Sequence, residues 1–247
     1  MQTVFAVGYD VPMSERDVPP PPWAPAARQV VPRRPPITRA AIVDAALGVL
    51  DGEGLDALSM RRVAAEMGTG AAALYRHVAN KDELLDLLLD RVIGEIEPPP
   101  PPDPERWAEQ LKEVGRNVRA GMLRHRDVVR VSMGRFPAGP NGLRFAEGLI
   151  AILRAGGLPD RLAATASHLS TVIVNAFALE DTAPLGGVDA TPDEVGAMVG
   201  SYLSSLPADR FPNLVALASE MTADDLDTRF ELLLDIFVDG LARRATA

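Results

Sequence analysis

From Thr38 to the end of this 247-residue chain, apolar residues recur three and four positions apart and nowhere sustain a period of two. A half-buried strand must alternate, whereas a helix needs a stripe, so the spacing leaves helices and excludes a sheet. The chain is read as all-α, and its 47% hydrophobic content is ample for a buried core.

Local signals divide the stripe into elements. Thr38 stands as the cap of a helix carrying Ile42, Ala46, Val49 and Leu50, ended by Gly52 and Gly54. Ser59 caps a short helix with Val63, Ala64 and Met67, stopped by Gly68, and a third short helix turns Leu74 and Val78 inward. Asn80 and Glu83 have capping-box spacing and open a fourth helix along Leu84, Leu85, Leu88, Val92 and Ile96, which the prolines from Pro98 to Pro102 end. Asp103 is expected to cap the next helix, with Pro104 at its first position. Further helices are predicted over 104–125, 127–133, 140–155, 159–181, 191–206 and 222–243.

Residues 1–36 read differently. Nine prolines between Val11 and Pro36 preclude a continuous helix or a sheet ladder, so this segment is expected to be a mostly disordered arm. Its Arg28, Arg33 and Arg34 are within reach of a DNA backbone, although a solvated tail is the plainer reading.

Composition removes several classes of function. Without cysteine there is no disulfide framework, thiol nucleophile or thiolate metal site. His77, His125 and His168 lie too far apart for metal-ligand spacing, so no cofactor and no metal are expected. No run reaches 18 uninterrupted apolar residues and the first thirty lack the pattern of a secretory signal, which places the chain in the cytoplasm without a membrane partner. The net charge of −9 conceals a split: Arg28 to Lys81 holds eight basic against five acidic residues, +3, and the remainder is −12. A basic module on an acidic body keeps nucleic acid open as a partner, because affinity for phosphates is set locally.

The stretch Gly68-Thr69-Gly70-Ala71-Ala72-Ala73 fits the G-x-G-x-x-G/A pattern of a dinucleotide loop. Such a loop needs a strand before it, and the residues before this one, Ser-Met-Arg-Arg-Val-Ala-Ala-Glu, read as a capped helix. A helix-turn-helix accounts for more: Gly68 makes the turn, and the small Ala71, Ala72 and Ala73 let the second helix approach base edges. Ser59, Arg61, Tyr75, Arg76, His77 and Lys81 surround it with hydrogen-bond donors.

The segment from Ile37 to Asp90 resembles the DNA-binding domain of the tetracycline repressor (TetR) family, most closely in G-x-x-x-x-x-L-Y-x-H-V from Gly68 to Val78 and in the following Asn80-Lys81. The resemblance implies an N-terminal three-helix helix-turn-helix DNA-binding domain, 37–83, and a larger helical ligand-binding and dimerisation domain, 84–247. It also implies phosphate contacts from Ser59, Tyr75, His77 and Lys81, and base-edge contacts from Arg61, Ala71, Ala72 and Arg76. The alanines offer only apolar contact, for instance to a thymine methyl, so specificity should lean on Arg61 and on DNA shape.

In the last helix Leu226, Phe230, Leu233, Phe237 and Leu241 form one stripe, which Leu232, Leu234, Ile236 and Val238 widen to roughly 240°. Packing on one core needs roughly half of that, so a partner subunit is expected, a homodimer that would pair two recognition helices on a palindromic operator. His168, Thr171 and Asn175 share a helix face and are candidates for a ligand site. Arg124-His125-Arg126-Asp127 and the following Val-Val-Arg-Val-Ser-Met-Gly resemble the ligand domain of the tetracycline-binding members. That resemblance puts Val118, Ser132, Phe136 and Leu149 near pocket positions, with Ser132 where those repressors carry a metal-coordinating histidine. A small-molecule effector more apolar than magnesium–tetracycline is therefore expected.

Two other functions were weighed. Asp224, Asp225 and Asp227 suggest a magnesium-binding enzyme, but Thr222 and Asp225 read better as a capping box, and no nucleophile–base pair accompanies them. A ligand-binding protein without DNA binding would need a damaged reading head. The expectation is thus not an enzyme but a ligand-responsive DNA-binding transcriptional regulator, released from its operator by an effector.

Overall fold

The computed structural model describes residues 36–182 and 191–245, and among these it holds twelve α-helices and no strand. The proline-rich arm, apart from Pro36, lies outside the described residues.

The first four helices follow their caps. Thr38 Oγ1 accepts from the Ala41 amide ahead of α1, Arg39–Glu53, and Gly54 closes it at φ 86°. A side chain there would be strained, and a Cβ would also meet the Asp127 carboxylate at 2.9 Å. Ser59 Oγ accepts from the Arg62 amide to open α2, Met60–Glu66. Gly68, at φ 63°, turns the chain into α3, Ala71–Leu74. Asn80 Oδ1 accepts from the Glu83 amide at the start of α4, Lys81–Ile93. The reciprocal bond is displaced by one residue: Glu83 Oε2 accepts from the Ala79 amide, at 2.6 Å, in place of the Asn80 amide.

The remaining helices are α5 (Trp107–Leu123), α6 (Val128–Ser132), α7 (Pro140–Ala155), α8 (Asp160–Thr182), α9 (Pro192–Ser204), α10 (Pro212–Ala216), α11 (Glu220–Ala223) and α12 (Leu226–Ala245). Three expected starts are corrected. Asp103 does not cap a helix from Pro104; α5 begins at Trp107, because buried Gln110 reaches back to the Pro101 carbonyl and the Asp103 amide and holds 101–106 as a turn. α6 begins at Val128 rather than at Asp127, which sits in the left-handed region at φ 59° while its carboxylate accepts from the distant Leu55 amide. Thr222 and Asp225 form no capping box, since the Thr222 hydroxyl donates to the Ala218 carbonyl while Asp225 Oδ1 accepts from the Thr228 amide. α12 therefore starts at Leu226, and the short α10 and α11, which carry no side-chain cap, were not anticipated.

Three apolar clusters hold the fold. The first joins Ile42, Leu50 and Leu74 with Leu84, Leu88 and Val92 of α4, and continues without a seam at 83/84 into Val128 and Val131 of α6 and Ala178 of α8. The second packs α5, α7, α8 and α12 through Leu111, Leu149, Ile152, Ala166 and Val238, and the third is Val174, Phe230 and Leu234. Val118 touches all three.

α8 is the one helix among the described residues long and apolar enough, by length and composition, to cross a membrane. It is interrupted by Ser167, His168, Ser170, Thr171 and Asn175, and it packs against α5, α6, α7 and α12.

Candidate nucleic-acid interface and effector site

In the head, neighbouring arginines have opposite fates. Arg62 donates to Glu53 at 2.8 Å and pairs with Glu66 at 2.8 Å. Its hydrogen bonds to those carboxylates raise its pKa, and the same bond to Arg62 lowers that of Glu53. Arg61, about 100° round the helix, is exposed and has no carboxylate partner among the described residues. One arginine fastens α1 to α2 and the other is left for solution.

The same division recurs around α3. Arg39 Nε donates to the His77 carbonyl and its Nη2 to Glu83 Oε1, so that Arg39 and Glu83 together fix the turn between α3 and α4. Tyr75, 53% exposed, and Arg76 and Ala72 face outward, while Ala71, His77 and Lys81 are half-buried. Arg76 and Lys81 likewise have no carboxylate partner among the described residues. Ser59 is exposed beside them, its oxygen already bonded to the Arg62 amide. Leu74, fully buried, anchors the helix that carries these groups. Sequence reasoning missed Arg39 and Glu83 as positioning residues; the only local signal was the capping-box spacing, which hid the longer reach of Glu83.

The body candidates do not converge in this way. Val118 is half-buried at the junction of the three cores, and Leu149 is a core residue of the second. Ser132 is buried, and its hydroxyl donates to the Val129 carbonyl of its own helix at 2.7 Å. Phe136 is 75% exposed. On α8, His168 and Thr171 are exposed, and Thr171 Oγ1 donates to the Ser167 carbonyl. Asn175, one turn on, is only 8% exposed, and its Oδ1 is a buried acceptor with no hydrogen-bond partner among the described residues.

A separate cleft of about 400 Å³ opens between α5, α8 and α12. Its floor is Arg119, bidentate to Asp181 at 2.7 and 2.8 Å, paired with Asp227 at 2.8 Å, and stacked 4.7 Å above the Phe230 ring. The hydrogen bonds to Asp181 hold the Arg119 pKa up against burial. Asp227, suggested above as part of a magnesium cluster, is here a guanidinium partner.

Residues 42–88 match the model of bacterial regulatory proteins of the tetR family, and residues 100–245 match that of the tetracyclin repressor-like C-terminal domain. The chain belongs to the TetR family. It is 34% identical to the HTH-type transcriptional repressor DrrR1 of Streptomyces coeruleorubidus, over 84% of this chain and 78% of that one. Its fold is similar to that of apo ActR from Streptomyces coelicolor, with a TM-score of 0.79 and 49% identity over 86% of this chain and 98% of ActR. ActR in complex with actinorhodin gives a TM-score of 0.77 and 50% identity, over 83% and 95%.

TetR-family regulators bind DNA operators and small-molecule effectors and act as dimers. The chain is a ligand-responsive DNA-binding regulator of the repressor type. Arg61, Arg76 and Lys81 lie within the stretch that matches the tetR-family model, and Asn175 lies within the stretch that matches the C-terminal domain.

Proposed function

We propose that this TetR-family chain, with its head at 37–83 and its body at 84–247, binds a palindromic operator through Ser59, Arg61, Ala71, Ala72, Tyr75, Arg76, His77 and Lys81. The observation that carries this reading is the sorting of cations in the head: Arg39 and Arg62 are consumed by internal carboxylates, and Arg61, Arg76 and Lys81 are not. Groups that neither stabilise the fold nor pair with each other are free to neutralise phosphates and read base edges. Two such heads on a dimer would meet half-sites about 34–36 Å apart. Leu169 and Val172 of α8 with Leu232 and Ile236 of α12 supply an exposed apolar face for that dimer.

The effector site proposed for the body comprises Val118, Ser132, Phe136, Leu149, His168, Thr171 and Asn175. Ser132 offers no imidazole to a metal, so the effector is taken to be apolar, with a donor for Asn175. The actinorhodin complex of ActR supports a ligand of that kind. The protein is proposed to work in the cytoplasm and to carry out no catalysis. Selection of bound DNA from a random pool at stated salt should enrich a palindrome, and enrichment of none would overturn the reading. Actinorhodin should then release the operator, whereas micromolar tetracycline with magnesium should not.

A further inference from the structure

His125 lies in the turn between α5 and α6, with its side chain only 14% exposed. Its Nδ1 is 2.9 Å from Oδ2 of Asp51 on α1, and its Nε2 is 2.9 Å from Oε2 of Glu95, just past α4. A neutral imidazole carries one N–H and would turn a lone pair toward one of the two carboxylates, and only the imidazolium donates to both. The same turn grips the end of α1 and the residues after it: the Arg126 amide donates to Asp51 Oδ1, and the Asp127 carboxylate accepts from the Leu55 amide. We propose that His125, as an imidazolium held between Asp51 and Glu95, pins the DNA-reading head to the body and makes their coupling depend on protonation.

Charged groups face the imidazole from each element packed around it. From α1 come Asp51 and, beyond it, Asp44; from α4, Arg91, which pairs with both Glu95 and Asp44. From the end of α5, Arg124 donates to the Glu95 carbonyl, and below the turn Arg130 pairs with Asp56 and Asp127. Arg91 thus partly satisfies Glu95, while among the described residues the Asp51 carboxylate meets the imidazole and the Arg126 amide. Loss of the proton leaves a ring lone pair facing one of the two carboxylates, so one arm of the clamp breaks. Burial opposes the charge on His125, but its bonds to Glu95 and Asp51 outweigh this and raise its pKa above the ordinary 6.5. The bond from His125 lowers the pKa of Glu95, against its burial. The clamp's contribution is complete below 6.5 and is lost as pH rises through the raised value. α6 starts three residues after His125 and packs on both α4 and α8, so the pin lies in the chain segment that links the body to α1.

The full-length protein contains three histidines, so imidazole titration by NMR can resolve this one. One resonance, absent from His125→Gln, should titrate above 6.5 and move down in Asp51→Asn. Between about pH 6 and pH 9, operator affinity of the wild type should fall about fivefold more than that of His125→Gln, and the two should converge at the upper end. His77 is present in both proteins and so cancels from the comparison. A titration at or below 6.5, or identical affinity profiles, overturns the proposal. If His125→Gln does not fold, Asp51→Asn and Glu95→Gln must each shift the fall to lower pH, and unchanged profiles in both refute the pin. The titration needs no DNA, so failure to find an operator would count against the functional reading alone.

Discussion

The two halves differ in what completes them. In the head, Ile42, Leu50, Val63 and Leu74 are buried, in a cluster that continues into α4, α6 and α8 of the same protomer, and the outward side chains are polar or small apart from Tyr75. In the body, Leu169, Val172, Leu232 and Ile236 stay exposed, with Leu232 and Ile236 at 54% and 61%, and a buried amide oxygen lacks a partner. A half that buries its apolar surface within its own protomer is self-sufficient in the sense that no second molecule is needed to cover it. A half that does not is built to be finished by a second molecule, here a partner subunit and an effector.

The largest effect should come from breaking the self-sufficient half. Leu74→Ala removes a fully buried side chain between α2, α3 and α4 and should cost about 2–5 kcal/mol in urea unfolding. A cost below about 1 kcal/mol would mean that the head is not sealed. Replacing Leu232 and Ile236 together by Glu should leave the protomer's own packing nearly intact while weakening the dimer by at least about 2 kcal/mol, read by sedimentation. An unchanged dimer would move the interface off this face.

The comparison also explains what the sequence made legible. Head signals are local: Thr38, Ser59 and Asn80 each bond an amide three residues on, so spacing alone reveals them. The outward positions of Arg61, Ala72, Tyr75 and Arg76 also follow from local geometry, since they lie on or just past two short helices whose inward faces are Val63 and Leu74. Body boundaries are set from a distance. The start of α5 depends on Gln110 folding back to Pro101, and the left-handed Asp127 on the Leu55 amide 72 residues away. A helical wheel puts His168, Thr171 and Asn175 on one side of α8, but it carries no information about which turn its neighbours cover, and only Asn175 is buried. α10 and α11, at five and four residues and uncapped, leave almost no periodic trace.

Within the head, the sorting of cations can be sharpened by two substitutions that should not disturb the fold. Arg61→Ala should cost roughly 1–3 kcal/mol at one operator position and relax specificity there, whereas Lys81→Ala should weaken all sequences alike and flatten the salt dependence. Titration against base-substituted operators separates the two, and uniform weakening by Arg61→Ala would remove its base-reading role.

The smallest effect on stability, and the sharpest contrast with Leu74, is expected at Asn175. A buried acceptor without a partner carries its desolvation cost, about 1–3 kcal/mol, in the effector-free protein. Asn175→Leu, similar in volume, removes that cost without opening a cavity, so effector-free stability should stay level or rise by about 1 kcal/mol. The same substitution should weaken the response to effector, because the acceptor that a ligand donor would satisfy is gone. A core residue of the head loses stability when changed, whereas a ligand-facing residue of the body loses only function. If Asn175→Leu instead destabilises the effector-free protein by more than about 1 kcal/mol, the amide serves the packing of α8 and the polar anchor of the effector must be sought elsewhere.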